Sequence, residues 1–371
     1  MMVFPKKVPL MKIVDVKTTV VKVPVSIKIG AMPKFSATGT YVTIKTDEGI
    51  DGTALTHFSF SDTALATYIQ SALRPMLLDQ DPSQIESIAR TMYNYTNRIL
   101  FGIPQATSVV EVALWDILGK SVNRPIHKLL GAHKAKVPAY ASFLWWMLPA
   151  QLANTAKVAI DQGFKGVKIR IGKSLKEDEE CIKAVRGFSP GLHIMVDANS
   201  AYDNVKIALK LAEICAKYDV DWLEEPLPSD DLESLAELRS RSPVPIVGGE
   251  NDFGVYRFRD VLEKKAYDII QPDVTRSGGY ITVRKIGGMA ESMGVKCIPH
   301  IFGFGHIAAA NLQMIGALSN CDWMELPFYP REFYLTKQAI APDKEGFVEV
   351  PQGAGLGVDP DWEAINKYKV M

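Results

Sequence analysis

No two cysteines in this sequence stand close enough to make a Cys-x-x-Cys pair. The four present, Cys181, Cys215, Cys297 and Cys321, are scattered through the second half. That scatter excludes zinc ribbons and thioredoxin-like redox chemistry. It reads as reduced core residues in a cytoplasmic enzyme. Excess charge is also lacking: 42 Lys and Arg balance 42 Asp and Glu. Nothing therefore points to nucleic acid or to an anionic membrane surface as a partner. There is no run of about 18 apolar residues, so no segment is expected to span a membrane. Met1–Leu10 holds two lysines and two prolines but no apolar core of signal-peptide length. Residues 1–11 read as a short extension. What these absences leave is small-molecule chemistry.

What is present is periodic. Three short apolar runs each end in an acid: His-Ile-Met-Val-Asp197, Asp-Trp-Leu-Glu224 and Pro-Ile-Val-Gly-Gly-Glu250. The acids are 27 and 26 residues apart, with amphipathic segments between them. A strand, a helix and the next parallel strand need about this much chain. Extending the reading from Lys136 gives eight strands: Val137–Ala141, Val167–Ile171, His193–Val196, Trp222–Leu223, Ile246–Val247, Ile269–Ile270, Val295–Ile298 and Trp323–Met324. The polar residues near the ends of strands two to eight are Lys168, Asp197, Glu224, Glu250, Asp273, His300 and Glu325. Their gaps are 29, 27, 26, 23, 27 and 25 residues. This regularity predicts an α/β fold of the (β/α)8-type barrel, with those residues on its catalytic face.

Before the barrel, residues 12–60 read as strands joined by turns. Pro24–Ala37 forms a long loop there, of the length used for lids. Residues 62–133 read as helical. Asp81-Pro-Ser-Gln predicts a helix start with Asp81 as N-cap, and Val109–Leu118 predicts a helix stopped by Gly119. In the barrel, Ile207, Leu211, Ile214 and Tyr218 fall on one helical face, as do Leu232, Leu235 and Leu238. The domains expected are an α+β capping domain at 12–133, a barrel at 134–340 and a C-terminal tail at 341–371. Phe347–Val358 should return to pack on the capping domain and complete it.

Three carboxylates on adjacent strand ends make an all-oxygen site suited to Mg²⁺ first and Mn²⁺ second. Without a cation the three anions would repel one another. Asp273 and His300 end neighbouring strands, an arrangement suited to general acid/base work. Lys168 and Arg170 are two apart and share a face. The lysine can bind a carboxylate or act as a base, whereas the arginine stays charged and is a carboxylate clamp. Glu325 is within reach of the same centre. Gly303-Phe-Gly305-His-Ile-Ala308 matches a relaxed dinucleotide-binding pattern. It falls inside the seventh of eight regular units and reads instead as a glycine turn admitting close backbone approach.

At these residues the chain resembles the enolase superfamily, in its mandelate racemase-like branch. The resemblance rests on Ala113-Leu-Trp-Asp-Ile-Leu-Gly-Lys, Lys168-Ile-Arg170, Val196-Asp-Ala-Asn, Glu224-Glu-Pro, Gly249-Glu-Asn, Gln271-Pro-Asp, Pro299-His and Gly355-Leu-Gly. It implies a capping domain over the barrel and Mg²⁺ on Asp197, Glu224 and Glu250. It also implies removal of the proton alpha to a carboxylate, giving an enediolate held by the metal, and homo-oligomers from dimers to octamers. Racemases of this branch usually carry Lys-x-Lys on the second strand, and here the second position is Arg170. That favours a dehydratase of a sugar acid, an aldonate or aldarate, yielding a 2-keto-3-deoxy acid. A racemase, epimerase or lactone cycloisomerase remains the alternative within the family. A non-catalytic metal-binding barrel is the alternative outside it. Specificity is expected from the loops Ser26–Thr38 and His57–Asp62 and from Trp145–Trp146. Lys34, His57, Trp145 and Asn199 are the candidate contacts to a small carboxylate substrate.

Overall fold

Two sheets of opposite construction divide the chain. The computed structural model describes residues 11–27, 35–56, 62–95 and 102–371. The first sheet is antiparallel and three-stranded, in the order β1 (Ile13–Ile27), β2 (Phe35–Thr46), β3 (Gly52–Leu55). Its strands run further than the sequence suggests. Ser26 pairs with Ser36 and Ile27 with Phe35, so strand pairing takes up both flanks of the expected Pro24–Ala37 loop. The ladder slips between Val23 and Ser26. Pro24 lies in that slip, where its missing N–H removes no ladder bond.

Helices α1 (Asp62–Tyr68), α2 (Arg74–Leu77), α3 (Ile85–Met92), α4 (Pro104–Ser121) and α5 (Ile126–Leu129) follow. Two expected helix ends need correction. Asp81 does not cap α3. Its carboxylate accepts the Ser83 N–H at 2.8 Å and its carbonyl the Gln84 N–H at 3.0 Å, which makes a turn before the helix begins. Gly119 does not stop α4 either, because the helix continues to Ser121. A Cβ at Gly119 would stand 2.6 Å from Gly355 Cα and 2.7 Å from the Arg124 carbonyl. Glycine is there for close backbone packing.

The second sheet is parallel and curled. It comprises β4 (Lys136–Ser142), β5 (Gly166–Arg170), β6 (His193–Asp197), β7 (Trp222–Glu224), β8 (Ile246–Gly248), β9 (Ile269–Ile270), β10 (Lys296–Cys297) and β11 (Met324–Pro327). These are the eight strands expected, within one residue at each end except that β11 runs three residues further, to Pro327. Each pairs with its sequence neighbour from β4 to β10, and β11 pairs with β4. Between β10 and β11, bonds outside the ladder bring the edges together. The Cys297 N–H donates to the Asn320 carbonyl (3.0 Å) and the Ile301 N–H to the Glu325 carboxylate (3.1 Å).

The barrel's outer helices are α6 (Pro149–Asp161), α7 (Leu175–Phe188), α8 (Val205–Lys217), α9 (Leu232–Arg241), α10 (Gly254–Glu263), α11 (Gly279–Ser292) and α12 (Gly305–Ile315). On α9 the buried face is Leu232, Leu235 and Leu238, as expected. On α8 it is Ala208, Leu211, Ala212 and Cys215, with Ile207 exposed. Small side chains let that helix lie close to the strands, and the larger Ile207 is turned outward. All four cysteines are buried and unbridged.

The tail serves the barrel first. β12 (Phe347–Glu349) pairs antiparallel with β4, Val348 opposite Val137. The chain then crosses to the first sheet's side. The Leu356 N–H donates to Asp116 on α4 at 2.9 Å. After α13 (Trp362–Tyr368), the Val20 N–H donates to the Met371 carbonyl at 2.9 Å and the Val370 N–H to the Val20 carbonyl at 2.8 Å.

Candidate active site

Strand register alone brings the central side chains together. Arg170, Asp197 and Glu224 are direct partners across β5, β6 and β7. Glu250 follows β8 by two residues. The step between them is Gly249, with φ of +115°, a conformation that L side chains rarely adopt. One carboxylate oxygen from each of Asp197, Glu224 and Glu250 lies within 4.8 Å of the other two, and all three residues are buried.

Two cations lie against this trio. Lys168 Nζ is 2.5 Å from Glu224 Oε1, 2.7 Å from Glu325 Oε1 and 3.6 Å from Asp197 Oδ2. Arg170 donates from Nη1 to Asp197 Oδ2. Burial works against every charge here, but the carboxylates around them hold both Lys168 and Arg170 firmly protonated. Asp197, although buried, is kept below the usual carboxylate range by Arg170 and Lys168. Glu224 is pushed up to about 8 by burial and by Asp197, Glu325 and Glu250, against the pull of Lys168. Glu325, buried too, is held down by Lys168 and His300 and by hydrogen bonds that include Ser142.

The other side of the site is an imidazole between two acids. His300 Nδ1 is 3.2 Å from Asp273 Oδ2, and Nε2 is 3.1 Å from Glu250 Oε2. Carboxylates at both ring nitrogens favour the imidazolium; a cation on Glu250 would relieve the pull on Nε2 and leave it as the basic atom, with Asp273 keeping the proton on Nδ1. Burial would lower the His300 pKa, but Glu250, Glu325 and Asp273 raise it to about 9. Asp273 is itself fixed on its other oxygen, which accepts from the Thr275 N–H and hydroxyl (both 2.8 Å) and from Asn311 Nδ2 (3.0 Å).

The donor set fits a hard divalent cation. It is all carboxylate oxygen. Five buried acids (Asp197, Glu224, Glu250, Asp273, Glu325) face Lys168, Arg170 and at most one imidazolium. With all five ionised, two negative charges would be left over, and that surplus adds to burial in pushing Glu224 up. Glu250 Oε2, although near His300, is a buried oxygen that accepts no hydrogen bond. A buried cluster with surplus negative charge is costly unless an ion takes it up.

Several residues of this ring were not singled out from sequence. Gln271 Nε2 donates to Glu224 Oε2 at 2.9 Å, and Trp222 Nε1 to the same oxygen at 3.3 Å. Gln271 directly follows β9, so the strand-end register carried its signal. Asn311, inside α12, carried none. Behind the trio, Asn251 Nδ2 donates to both oxygens of Glu225 (3.0 and 2.9 Å), and Arg276 donates to Asn251 Oδ1 (2.6 Å).

Of the proposed substrate contacts, Lys34 and His57 lie outside the described residues, as do most of their loops. Asn199 reaches the trio through its backbone, whose N–H donates to Asp197 Oδ1 at 2.8 Å. Trp145 is half-buried and lines a cleft of about 600 Å³ with Met147, Thr155, Phe328 and Tyr329. Trp146 carries Lys173 Nζ over its ring, 3.1 Å from the centroid. At the glycine turn, a Cβ on Gly305 would meet Thr336 Oγ1 at 2.6 Å, so this glycine admits a neighbouring segment of the same chain.

Comparison with known proteins agrees with this geometry. Residues 11–131 match the N-terminal domain of the mandelate racemase / muconate lactonizing enzyme family, and residues 151–364 match the enolase C-terminal domain-like family. An arabinonate dehydratase of Saccharolobus solfataricus is 35% identical over 335 residues, covering 88% of this chain and 89% of that protein. A D-galactarolactone cycloisomerase of Agrobacterium fabrum is 34% identical, covering 79% of this chain and 82% of that protein. A crystal structure of a racemase from Streptomyces coelicolor A3(2) with bound magnesium superposes with a TM-score of 0.89 at 28% identity, over 96% of this chain and all of the other. With two matched domains and relatives spanning most of its length, this chain belongs to the enolase superfamily as a mandelate racemase-like member.

Proposed function

We propose that the protein is a Mg²⁺-dependent dehydratase acting on an aldonate or aldarate. The observation that carries this reading is Arg170. It occupies the second position of the Lys-x-Lys pattern, ion-paired with Asp197. A guanidinium does not give up its proton in the working pH range. The face opposite His300 therefore lacks the second exchangeable base that a two-base racemase uses. His300, with Asp273 behind it, is one base that also serves as an acid.

In this reading Asp197, Glu224 and Glu250 hold Mg²⁺. The ion would neutralise the substrate carboxylate and lower the cost of the charge that builds on it. The chain's own residues do the rest. His300 Nε2 takes the alpha proton, and the C–H electrons form the new carbon–carbon double bond. The beta-hydroxyl leaves with the proton from His300 as water. The resulting enol collapses to the 2-keto-3-deoxy acid, so atoms and charge balance. Lys168 supplies a fixed positive charge beside Glu224 and Glu325. Burial of the ring excludes bulk water and strengthens each of these interactions.

The 35% identity to an arabinonate dehydratase supports this reading. The 34% identity to a D-galactarolactone cycloisomerase supports a second one, in which the same base opens a lactone without loss of water. Incubation with a library of acid sugars and MgCl₂ tests them. Dehydration is expected to yield a product that forms a semicarbazone, and chelator is expected to abolish it. If no acid sugar loses water while one exchanges its alpha hydrogen with deuterated solvent, the dehydratase reading is wrong.

A further inference from the structure

Outside the acid ring, one carboxylate ties the capping helix α4 to the barrel helix α11: Glu111. It is buried. It accepts the N–H groups of Tyr280 (2.8 Å) and Ile281 (3.0 Å), in the first turn of α11, and Trp115 Nε1 (3.0 Å) from its own helix. Almost a turn earlier, Ser108 Oγ accepts the N–H of Gly278 at 2.9 Å. The first N–H groups of a helix have no partner within it and favour a negative charge. Among the described helices, α7, α8, α9 and α13 satisfy one of them with their own capping side chain. The residue at that place in α11 is Gly278, which has none.

The fit is mutual. Gly279 has φ of +80°, and a Cβ there would lie 2.2 Å from Glu111 Oε2. The backbone comes this close to Glu111 only because Gly279 lacks a side chain. From this anchor to Asp273 is a single tight loop. The Ser277 N–H donates to the Asp273 carbonyl (2.6 Å), Ser277 Oγ accepts the Asp273 N–H (3.1 Å), and the Gly279 N–H donates to the Val274 carbonyl (3.2 Å). The loop therefore has two fixed ends: Glu111 and Ser108 at one, and His300, 3.2 Å from Asp273, at the other.

We propose that Glu111 and Ser108 are positioning residues for the reaction: they set the loop that aims Asp273, and through it the tautomer and direction of His300. The inference rests on the acid/base role given above to the His300–Asp273 pair. It makes the capping helix part of the base's support as well as a cover for the barrel.

The test uses the full chain labelled with ¹⁵N-histidine. Six histidines are present, and His300→Asn identifies the His300 ring signal. In Glu111→Gln and Ser108→Ala the His300 signal is expected to shift while the other five stay in place. Turnover is expected to fall about tenfold in Glu111→Gln and about threefold in Ser108→Ala, with KM changed by no more than about twofold. Should Glu111→Gln fail to fold, Ser108→Ala carries the test alone. An unmoved His300 signal in a folded variant overturns the proposal, and so does a shifted signal with unchanged turnover. The ring signal needs no substrate, so it separates failure of this inference from failure of the dehydratase reading.

Discussion

Two buried histidines six positions apart have opposite environments. His300 faces acids and is raised to about 9. His306 is held down at about 3, first by burial and then by Lys120, with only a weak opposing pull from Asp359. Neither ring nitrogen of His306 has a hydrogen-bond partner, and the ring meets Tyr41 edge-on at 5.3 Å. Such a histidine stays neutral in the fold but ionises near 6.5 once the chain unfolds. Between pH 6.5 and 3 the unfolded chain thus binds one more proton at this site. Stability from His306 is complete above pH 6.5 and is lost as the pH falls. The slope is about 1.4 kcal/mol per pH unit. His306→Phe is expected to remove that slope, and urea unfolding of both proteins between pH 6.5 and 4 checks it. Parallel curves would show that His306 titrates alike in both states.

At the scale of the element, α4 is the piece most closely fitted to its surroundings. It carries Ser108 and Glu111 towards α11 and Asp116 towards β3 and the tail. Gly119→Ala tests how tight that fit is. Alanine is the better helix former by about 1 kcal/mol. Its Cβ would strike backbone atoms, which cannot rotate away as a side chain can. Overpacking of this sort costs about 1–3 kcal/mol. The net expectation is a lower melting temperature, measured by circular dichroism. A higher one would mean that Gly355 yields easily.

The same helix shows what the sequence makes legible at this scale. The strand ends were readable because a barrel repeats: each acid falls at a period that only a strand–helix–strand unit explains. Asp197, Glu224, Glu250, Asp273 and His300 could be placed together for that reason. Helix ends have no such repeat to check them. Asp81 and Gly119 are good local signals; a competing local Asx-type turn overrode the first, and the second serves contact with the distant tail. Glu111 was invisible for the same reason, since its partners lie about 170 residues away.

Across the whole molecule, Asp116 is where three separate parts of the chain meet. Its carboxylate accepts the N–H of Thr53 on β3 (2.9 Å) and of Leu356 in the tail (2.9 Å), and it pairs with Lys120 Nζ (2.6 Å). Asp116→Ala leaves two buried N–H groups without their acceptor and Lys120 Nζ with the Asp51 carbonyl (2.9 Å). A loss of about 3 kcal/mol is expected. The tail should also become open to protease around Gly353–Gly357 under native conditions, read by limited proteolysis and mass spectrometry. Resistance equal to that of the parent would show that the tail's other contacts secure it without Asp116.

The pairing of Val20 with the chain's last residues has a consequence for how the protein is made. β1 is an edge strand of its sheet, and the neighbour on its outer side at Val20–Val21 is Lys369–Met371. A ribosome adding about 5–20 residues per second delivers that neighbour roughly 20 to 70 s after β1 itself. Through that interval the nascent chain holds an unpaired strand edge, the kind of surface that recruits other strands. β1 therefore waits for its outer neighbour until the barrel strands that follow it have been synthesised.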